Sequence, residues 1–247
     1  MTYSVLVFDG GSGRFGVGVV SGSVAVGSRV PLGRGGLGVV VTQGYTNPLL
    51  SRYILEYLDR GYDAEEALDK ALAGDPDPRY RQVGVLTAEY GVAMYTGEYV
   101  PMERGGLSRG DCMCIGNLLS SDEVLSSMLS ACNRFSSLED RILKALEAGS
   151  RAGGDARGDR SSAILIYGEH PIFKGYDKLL DLRVDYSMNP VKDLMELYEI
   201  YREAYHVKQD NCFNLVDPPG IEPGTSALRG RRPTTRPRAH PPIDSIL

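Results

Sequence analysis

Residues 3–21 read YSVLVFDGGSGRFGVGVVS and predict a β-hairpin near the start of the chain. Tyr3–Phe8 and Phe15–Ser21 are short, rich in β-branched residues and typical of strands. The intervening Asp-Gly-Gly is a turn signal. Gly11–Gly16 also fits the dinucleotide-binding pattern G-x-G-x-x-G, which requires a helix to follow. Strand-like residues follow instead, so we interpret the glycines as part of a hairpin turn.

The elements that follow the hairpin predict a mixed α+β fold. Leu37–Thr42 is apolar throughout, which indicates a strand buried on both faces. Leu50, Ile54 and Leu58 predict a helix, and Asp63–Glu66 is a capping box that opens a second one. Further predicted elements are strands at Gln82–Thr87, Gly91–Thr96, Cys112–Ile115, Ser161–Tyr167 and Asp181–Asp185, a helix from a capping box at Ser120–Glu123 to about Ser130, a helix around Leu138, Ile142 and Leu146, and a last helix from Asn189-Pro190. Along the chain, the strands come in hairpins and the helices come in pairs. This order favours sheets whose faces are covered by pairs of helices.

Composition excludes several classes of protein. The 247 residues carry a net charge of −5, which argues against nucleic-acid and anionic-membrane partners. No apolar run approaches the roughly 20 residues that span a bilayer, and no secretory signal is visible. Four cysteines are too few and too irregular for a disulfide framework. We therefore expect a soluble, cytoplasmic protein without membrane association.

The composition changes near Val216. Residues 216–247 are rich in proline and arginine and have no hydrophobic period, which predicts a disordered tail. Part of this segment, GIEPGTSALRGRR, resembles the translation of an antisense transfer-RNA gene, so the tail is interpreted as an artefact of gene prediction or a frameshift. The domain is accordingly expected to comprise residues 1–215.

Three other motifs resemble functional sites and lack the necessary context. Gly106–Gly110 fits G-x-S-x-G, but Ser108 is not followed by a helix as a nucleophile elbow requires. Cys112 and Cys114 have no further zinc ligands at suitable spacing and are interpreted as buried small hydrophobes. Asp75-Pro-Asp-Pro reads as a turn because the EF-hand pattern is absent. The sequence thus predicts no metal and no cofactor.

The second residue offers a nucleophile that needs no histidine. Thr2 is small enough for routine removal of Met1, which would leave it with a free α-amine of pKa near 8. Such an amine can accept the proton of the same residue's hydroxyl and so activate it. Because the chain has three histidines only, this mechanism fits its composition.

The chain resembles the family called domain of unknown function 1028, a branch of the N-terminal-nucleophile hydrolase superfamily. The resemblance spans residues 2–205 and rests on these segments: Thr2–Ser4, Ala25–Gly27 with Val30-Pro31, Thr42–Pro48, Arg81–Gly84, Gly116–Leu119, Gly153–Gly158 with Ser161, and Asp181–Asp185. It implies a four-layer αββα sandwich, with two antiparallel sheets between helix layers.

The resemblance also implies roles for individual residues. Thr2 would be the nucleophile and its amine the base, and Gly44 would donate its N–H to the oxyanion. Asn117 would approach the amine, and Asp155 would hold its ammonium form. Implied substrate-binding residues are Thr42, Gln43, Asn47, Gly116, Arg157 and Ser161. Arg157 would bind a substrate carboxylate, although an Asp155–Arg157 ion pair within the loop is an equal alternative.

Two departures from proteasome-type enzymes leave the function open. The first lysine is Lys70, in a predicted helix, and Ser21 stands where those enzymes have an aspartate. Arg29 or Arg34 could supply positive charge but not shuttle a proton. The first hypothesis is hydrolysis of a peptide or small-molecule amide. The alternative is a non-catalytic binding or assembly module, and a homo-oligomer is possible with either. Ser4, exposed by further trimming, is a third and weaker nucleophile candidate.

Overall fold

The computed structural model describes residues 2–205. Its strands are β1 Thr2–Asp9, β2 Arg14–Ser21, β3 Pro31–Arg34, β4 Gly38–Gly44, β5 Arg81–Thr87, β6 Val92–Thr96, β7 Gly105–Arg109, β8 Cys112–Asn117, β9 Ser161–Tyr167 and β10 Lys178–Val184. Its helices are α1 Pro48–Asp59, α2 Ala64–Ala73, α3 Glu123–Cys132, α4 Leu138–Arg151 and α5 Pro190–Tyr205. The predicted tail at 216–247 and the boundary at 215 lie outside the described residues.

The strands form two antiparallel sheets. The six-stranded sheet has the order β10-β9-β2-β1-β8-β7, and the four-stranded sheet has the order β3-β4-β5-β6. Each pair of neighbouring strands is antiparallel. The β1–β2 pairing runs without a break from Thr2↔Ser21 to Asp9↔Arg14. The predicted hairpin, with Gly11–Gly13 in its turn, is confirmed.

Alternating side chains divide the core into three apolar layers. Tyr3, Val5 and Val7 of β1 pack with α3, α4 and α5, whereas Leu6 packs against the four-stranded sheet. Val40, on the other face of that sheet, packs with α1 and α2. The order of layers is therefore helix, sheet, sheet, helix, and the αββα sandwich is confirmed.

The alternation also determines which residues of the central strands face the space between the sheets. Since successive side chains point to opposite faces, Thr2 and Ser4 lie on the same face of β1 as Leu6. Ser21 lies on the same face of β2 as Val17 and Val19. The N-terminal end of β1 thus places small polar side chains where the two sheets meet.

Two local interpretations need correction. Cys112 is buried, as the sequence suggested, but it is joined to Cys132 in a disulfide and is not simply a small hydrophobic residue. Cys114 is free and buried, and burial raises the pKa of its thiol. The N-cap of α3 is Asp122, without a side-chain hydrogen bond, so the capping box at Ser120–Glu123 is absent. The hydroxyl of Ser120 instead donates to the carbonyl of Ala152.

Other features of the described chain agree with the predicted elements. Asp63 and Glu66 form the reciprocal capping box of α2, and Pro190 is the first residue of α5. Ser108 lies in β7 at one edge of the six-stranded sheet, and the element that follows it along the chain is strand β8, not a helix. Within residues 2–205, no helix combines the length and apolarity needed to cross a bilayer.

Candidate active site

A row of four polar residues crosses the six-stranded sheet at one end. Thr2 is paired with Ser21 on β2 and with Asn117 on β8, and Ser21 is paired with Ser161 on β9. Residues directly opposite each other in antiparallel strands project to the same face. Four adjacent strands therefore bring Ser161, Ser21, Thr2 and Asn117 together on the face toward the second sheet.

Thr2 opens into a cavity of about 300 Å³ at this end of the sandwich. The residues that line the cavity are Thr2, Ser21, Ser23, Arg29, Val30, Gly44, Tyr45 and Thr46. They come from β1, β2, the loop after β2, and the end of β4 with the loop that follows. A volume of this size accommodates a side chain or a small ligand.

The Thr2 hydroxyl is held in a defined position. Thr2 is 4% exposed, and its Oγ1 donates to Ser21 Oγ at 3.2 Å. Ser21 Oγ also accepts the backbone N–H of Ser23 at 3.1 Å. The acceptor that the Thr2 hydroxyl meets is therefore a neutral oxygen, Ser21 Oγ.

Gly44 stands at the cavity in a conformation that favours glycine. Its φ is +80°, and a Cβ at this position would lie 2.7 Å from the carbonyl oxygen of Tyr80. The N–H of Thr42 donates to Val30 O at 3.1 Å. Since N–H groups alternate along a strand, the N–H of Gly44 points to the same edge of β4, beyond Val30, where the cavity lies.

A buried network formed by the side-chain amides of Gln43 and Gln82 contacts the backbone of Thr2. Gln43 Nε2 donates to Thr2 O at 3.2 Å and to Gln82 Oε1 at 2.8 Å, and its Oε1 accepts the Ser4 hydroxyl at 2.8 Å. Gln82 Nε2 donates to the carbonyl of Gly116 at 2.8 Å. Gln43 and Gly116 were both predicted to bind substrate. In the structure, Gln43 contacts the backbone of Thr2, and the carbonyl of Gly116 accepts from Gln82.

The same network orients Asn117. Asn117 Nδ2 donates to Gln82 Oε1 at 2.7 Å, and the Gln82 amide is itself oriented by donation to Gly116 O. Asn117 Oδ1 is fully buried and has no hydrogen-bond partner among the described residues. A buried acceptor without a partner is costly, so this oxygen is a candidate contact for a donor at Thr2.

Asp155 and Arg157 form an ion pair that supports the loop after β2. Arg157 Nε and Nη2 donate to the two carboxylate oxygens of Asp155 at 3.0 and 2.9 Å. Asp155 Oδ2 also accepts the N–H of Gly22 at 2.7 Å. The hydrogen bond from Arg157 to Asp155 raises the pKa of the guanidinium. Of the two roles considered for Arg157, the geometry therefore shows the ion pair with Asp155. The Asp155 side chain is almost completely buried.

Ser161 also anchors this loop. Its hydroxyl donates to Ser23 O at 2.6 Å and accepts the N–H of Val26 at 3.1 Å. Between these residues, Ala25 has a φ of +53°, which is unusual for a residue other than glycine. Backbone conformations of this kind concentrate at functional sites.

Two predicted substrate-binding residues lie away from the cavity. Thr42 lies on the face of β4 that carries Val40 toward α1 and α2, and its buried Oγ1 has no hydrogen-bond partner in the described structure. Asn47 is the N-cap of α1 and donates to Asp75 Oδ2 at 2.7 Å. The structure therefore brings neither side chain to Thr2.

Asn47 belongs to a partly buried chain of polar contacts that fixes the loop carrying Tyr45. Arg81 Nε is 3.1 Å from both oxygens of Asp75, and Arg81 Nη1 donates to Tyr45 O at 2.7 Å. Burial alone would raise the pKa of Asp75, but the hydrogen bonds from Arg81 and Asn47 outweigh it and hold that pKa below its ordinary value. The ion pair thus positions one wall of the cavity.

Several residues of the cavity and of the amide network next to it carried little or no signal in the sequence. Gln82 lies in the segment Arg81–Gly84, where its type did not suggest a role. Arg29 was considered only as a substitute for a missing lysine, and Tyr45 only as part of a longer motif. Among residues 2–205, no group of three or more His, Cys, Asp or Glu side chains is arranged to hold a metal ion.

The fold and the site define an αββα sandwich protein in which a threonine at the start of a central strand lies at a cavity between the sheets. Residues 2–194 match the model of the family described as a family of unknown function, DUF1028. The chain belongs to this family. No curated protein sequence matches it significantly.

A solved structure agrees with the family assignment. Protein SPO2555 from Silicibacter pomeroyi, assigned to the same family, is 27% identical and superposes with a TM-score of 0.73. The match covers 81% of this chain and 89% of that one.

More distant similarity is found to Anbu proteins. The Gly-1 mutant from Hyphomicrobium sp. strain MC1 has 11% identity and a TM-score of 0.38, and the match covers 87% of this chain and 100% of that one. Anbu, an ancestral β-subunit, from Yersinia bercovieri has 11% identity and a TM-score of 0.39, over 86% of this chain and 100% of that one. Similarities this low do not assign a function or a site to this chain.

Proposed function

We propose that this protein is an N-terminal-nucleophile hydrolase that cleaves an amide bond with the Thr2 hydroxyl. The observation that carries the proposal is the position of Thr2, at the start of a central strand and at the mouth of a cavity that also exposes Gly44. Removal of Met1 would place the α-amine and the hydroxyl of one residue at this point.

The proposed reaction has two steps. Thr2 Oγ1 attacks the amide carbonyl while its proton passes to the α-amine, and the C–N bond then breaks as the leaving nitrogen takes that proton. This step leaves an ester on Thr2. Water attacks the ester with the amine again acting as base, which releases a carboxylic acid and restores the hydroxyl.

Gly44 would stabilise the oxyanion. Its N–H lies on the strand edge that faces the cavity, and glycine keeps this backbone free of a side chain next to the substrate. Because β4 is paired on both sides at its start and buried on both faces, the N–H would be held in place before substrate binds.

Asn117 would orient the α-amine. Its buried Oδ1 needs a donor, and it is paired with Thr2 across β1 and β8. A neutral acceptor leaves the amine uncharged more readily than a carboxylate would, because a nearby anion favours the ammonium form. An uncharged amine is the form that accepts a proton from Oγ1.

A non-catalytic binding module remains the second candidate. The cavity contains no lysine, so its lining offers no group of the kind that activates the nucleophile in proteasome-type enzymes. On this hypothesis the cavity would bind a ligand without chemical change.

Acylation of Thr2 distinguishes the two functions. The full chain, with its N-terminus determined by intact mass, is treated with a β-lactone, which acylates an activated hydroxyl by ring opening. A single adduct at Thr2 in peptide mapping is the result expected for the hydrolase. Retention of Met1, or no adduct on a folded protein that begins at Thr2, would show that the proposed mechanism is wrong.

Two variants control this experiment. Thr2→Ala removes the hydroxyl and should abolish the adduct while the circular-dichroism spectrum and melting temperature stay unchanged. Thr2→Ser keeps a hydroxyl and an amine and should still react. An adduct of equal yield on Thr2→Ala would place the reactive group elsewhere in the chain.

A further inference from the structure

Arg29 is the charged residue among the eight that line the cavity. The others are hydroxyl-bearing, aliphatic, glycine or tyrosine residues, so the lining contains a cation and no carboxylate. A substrate that enters this cavity therefore meets a positive potential beside Thr2. In a partly enclosed site, that potential acts more strongly than it would in bulk water.

The guanidinium of Arg29 is held by one of its nitrogens. Nη1 donates to Val24 O and Ala25 O, both at 3.1 Å. Nε and Nη2 have no hydrogen-bond partner among residues 2–205. An arginine has five N–H donors, so the edge formed by Nε and Nη2 remains available for a ligand.

The loop that carries Arg29 is anchored to neighbouring elements. The N–H of Arg29 donates to Val26 O, and the N–H of Ala25 donates to Asp185 O. Asp155, which contacts this loop at Gly22, is already paired with Arg157. Arg29 is therefore positioned in advance, and the carboxylate that contacts its loop does not neutralise it.

Two other arginines near the cavity, Arg157 and Arg81, are already paired with carboxylates, whereas Arg29 is not. Arg157, the residue predicted to bind a substrate carboxylate, already has both oxygens of Asp155 on its Nε and Nη2 edge. Arg81 is likewise paired with Asp75. Arg29 has no salt bridge with any described residue, and it lies at the cavity that holds the candidate nucleophile.

We infer that Arg29 binds a carboxylate of the substrate, and that the preferred substrate is an amide with a free carboxylate close to the scissile bond. The planar edge of Nε and Nη2 matches the two oxygens of a carboxylate. This inference rests on the proposed function, because the substrate is defined by its position relative to Thr2.

Paired probes test the inference. Two β-lactones of equal size, one with a carboxylate and one with a carboxamide, are reacted with the full chain that begins at Thr2. The second-order rate of acylation is followed by intact mass. We expect the carboxylate probe to react at least about tenfold faster, because a hydrogen bond between charged groups contributes stabilisation of this size. This preference should decrease as salt is added.

Arg29→Gln is the diagnostic variant and Arg34→Gln its matched control. Arg34 is the last residue of β3, and it is half-exposed and paired with Asp59 at the surface. Both variants remove one positive charge. Arg29→Gln should reduce the probe ratio to about one, whereas Arg34→Gln should leave it unchanged.

The outcomes separate the inference from the proposed function. If both probes acylate Thr2 at equal rates in the wild type, or if Arg29→Gln keeps the preference, the carboxylate inference is wrong and the hydrolase proposal stands. If neither probe acylates a folded chain that begins at Thr2, both are wrong. Acylation with a preference that depends on Arg29 supports both.

Discussion

Thr2 and Ser21 face each other across β1 and β2, and the hydroxyl of Thr2 donates to Ser21 Oγ at 3.2 Å. This contact fixes the rotamer of Thr2 and therefore the position of Oγ1 at the cavity. Ser21→Ala removes the acceptor, and we expect the rate of Thr2 acylation to fall roughly fivefold, the value of one ordinary hydrogen bond. Intact-mass kinetics with a β-lactone measure this rate.

Ser162→Ala provides the control for this effect. Ser162 is a buried serine whose hydroxyl donates to Pro190 O rather than toward Thr2. Its substitution should lower the melting temperature and leave the acylation rate of the folded protein unchanged. Equal rates for wild type and Ser21→Ala would show that the Thr2–Ser21 contact has no role in reactivity.

Asn117→Asp should change the pH dependence of acylation. A carboxylate beside the α-amine of Thr2 favours the ammonium form, so the apparent pKa of the amine should rise by roughly one unit or more. The rate would then reach half its maximum at a correspondingly higher pH. The measurement is the acylation rate between pH 6 and about 10.

Asn133→Asp is the matched control for that shift. Asn133 follows α3, is exposed, and donates to Leu129 O. The same change of an amide to a carboxylate at Asn133 should not shift the pH at which the acylation rate is half-maximal. If the half-maximal pH is also unchanged in Asn117→Asp, Asn117 does not contact the amine.

Gly44→Ala should impair acylation much more than Gly36→Ala. The two glycines have nearly equal positive φ, +80° and +78°, so the backbone strain of an alanine is similar. A Cβ at Gly44 would lie 2.7 Å from Tyr80 O, whereas Gly36 has open space around it. The displaced N–H would reduce the rate by roughly 100-fold if it forms the oxyanion hole. Similar rates in both variants would exclude Gly44 as the donor.

Asp75→Asn should destabilise the protein more at neutral pH than in acid. Removing one partner of the buried Asp75–Arg81 pair costs roughly 3 kcal/mol. The pKa of Asp75 is lowered in the folded state, so its stabilisation is present above the ordinary carboxyl pKa of about 4. That stabilisation is lost as the pH falls through the lower, folded value.

Urea unfolding of wild type and Asp75→Asn near pH 7 and near pH 3 measures this difference. Asp59→Asn is the control, because Asp59 pairs with Arg34 at the surface with both side chains half-exposed. It should change the free energy of unfolding by less than about 1 kcal/mol at either pH. A constant difference for Asp75→Asn across the pH range would contradict the interpretation.

The Cys112–Cys132 disulfide should be detectable in the purified protein. Peptide mapping without reductant should recover the two cysteines in one cross-linked peptide. Reduction should lower the free energy of unfolding by roughly 3 kcal/mol, given the separation of 20 residues. Cys114→Ala removes the buried free thiol and should leave the effect of reduction intact. Complete alkylation of Cys112 without reductant would show that the bond is absent.

Local patterns in the sequence predicted much of the secondary structure. The hairpin of β1 and β2 follows from two β-rich runs around a glycine turn, because glycine alone adopts the turn backbone without strain. The capping box at Asp63 and Glu66 and the start of α5 at Pro190 follow from local hydrogen bonding and fixed φ. These features depend on neighbours within a few residues.

The faces of β4 could not be read from the sequence. Leu37–Val41 is apolar throughout, so no polar alternation shows which side chains meet the other sheet. The structure directs Gln43 to Thr2 and Thr42 to the helices. The disulfide was missed for a related reason, since a spacing of 20 residues gives no sign that β8 and the end of α3 are adjacent.

The sequence by itself determined the elements and the candidate nucleophile, Thr2, because these depend on short-range preference and residue type. Tertiary structure alone decided what surrounds it. Ser161 and Thr2 are brought into one row by the register of β1, β2 and β9, although 159 positions separate them in the numbering. Likewise, Arg157 pairs with Asp155 and Arg29 lines the cavity, because strand register and loop packing join residues that no local preference connects.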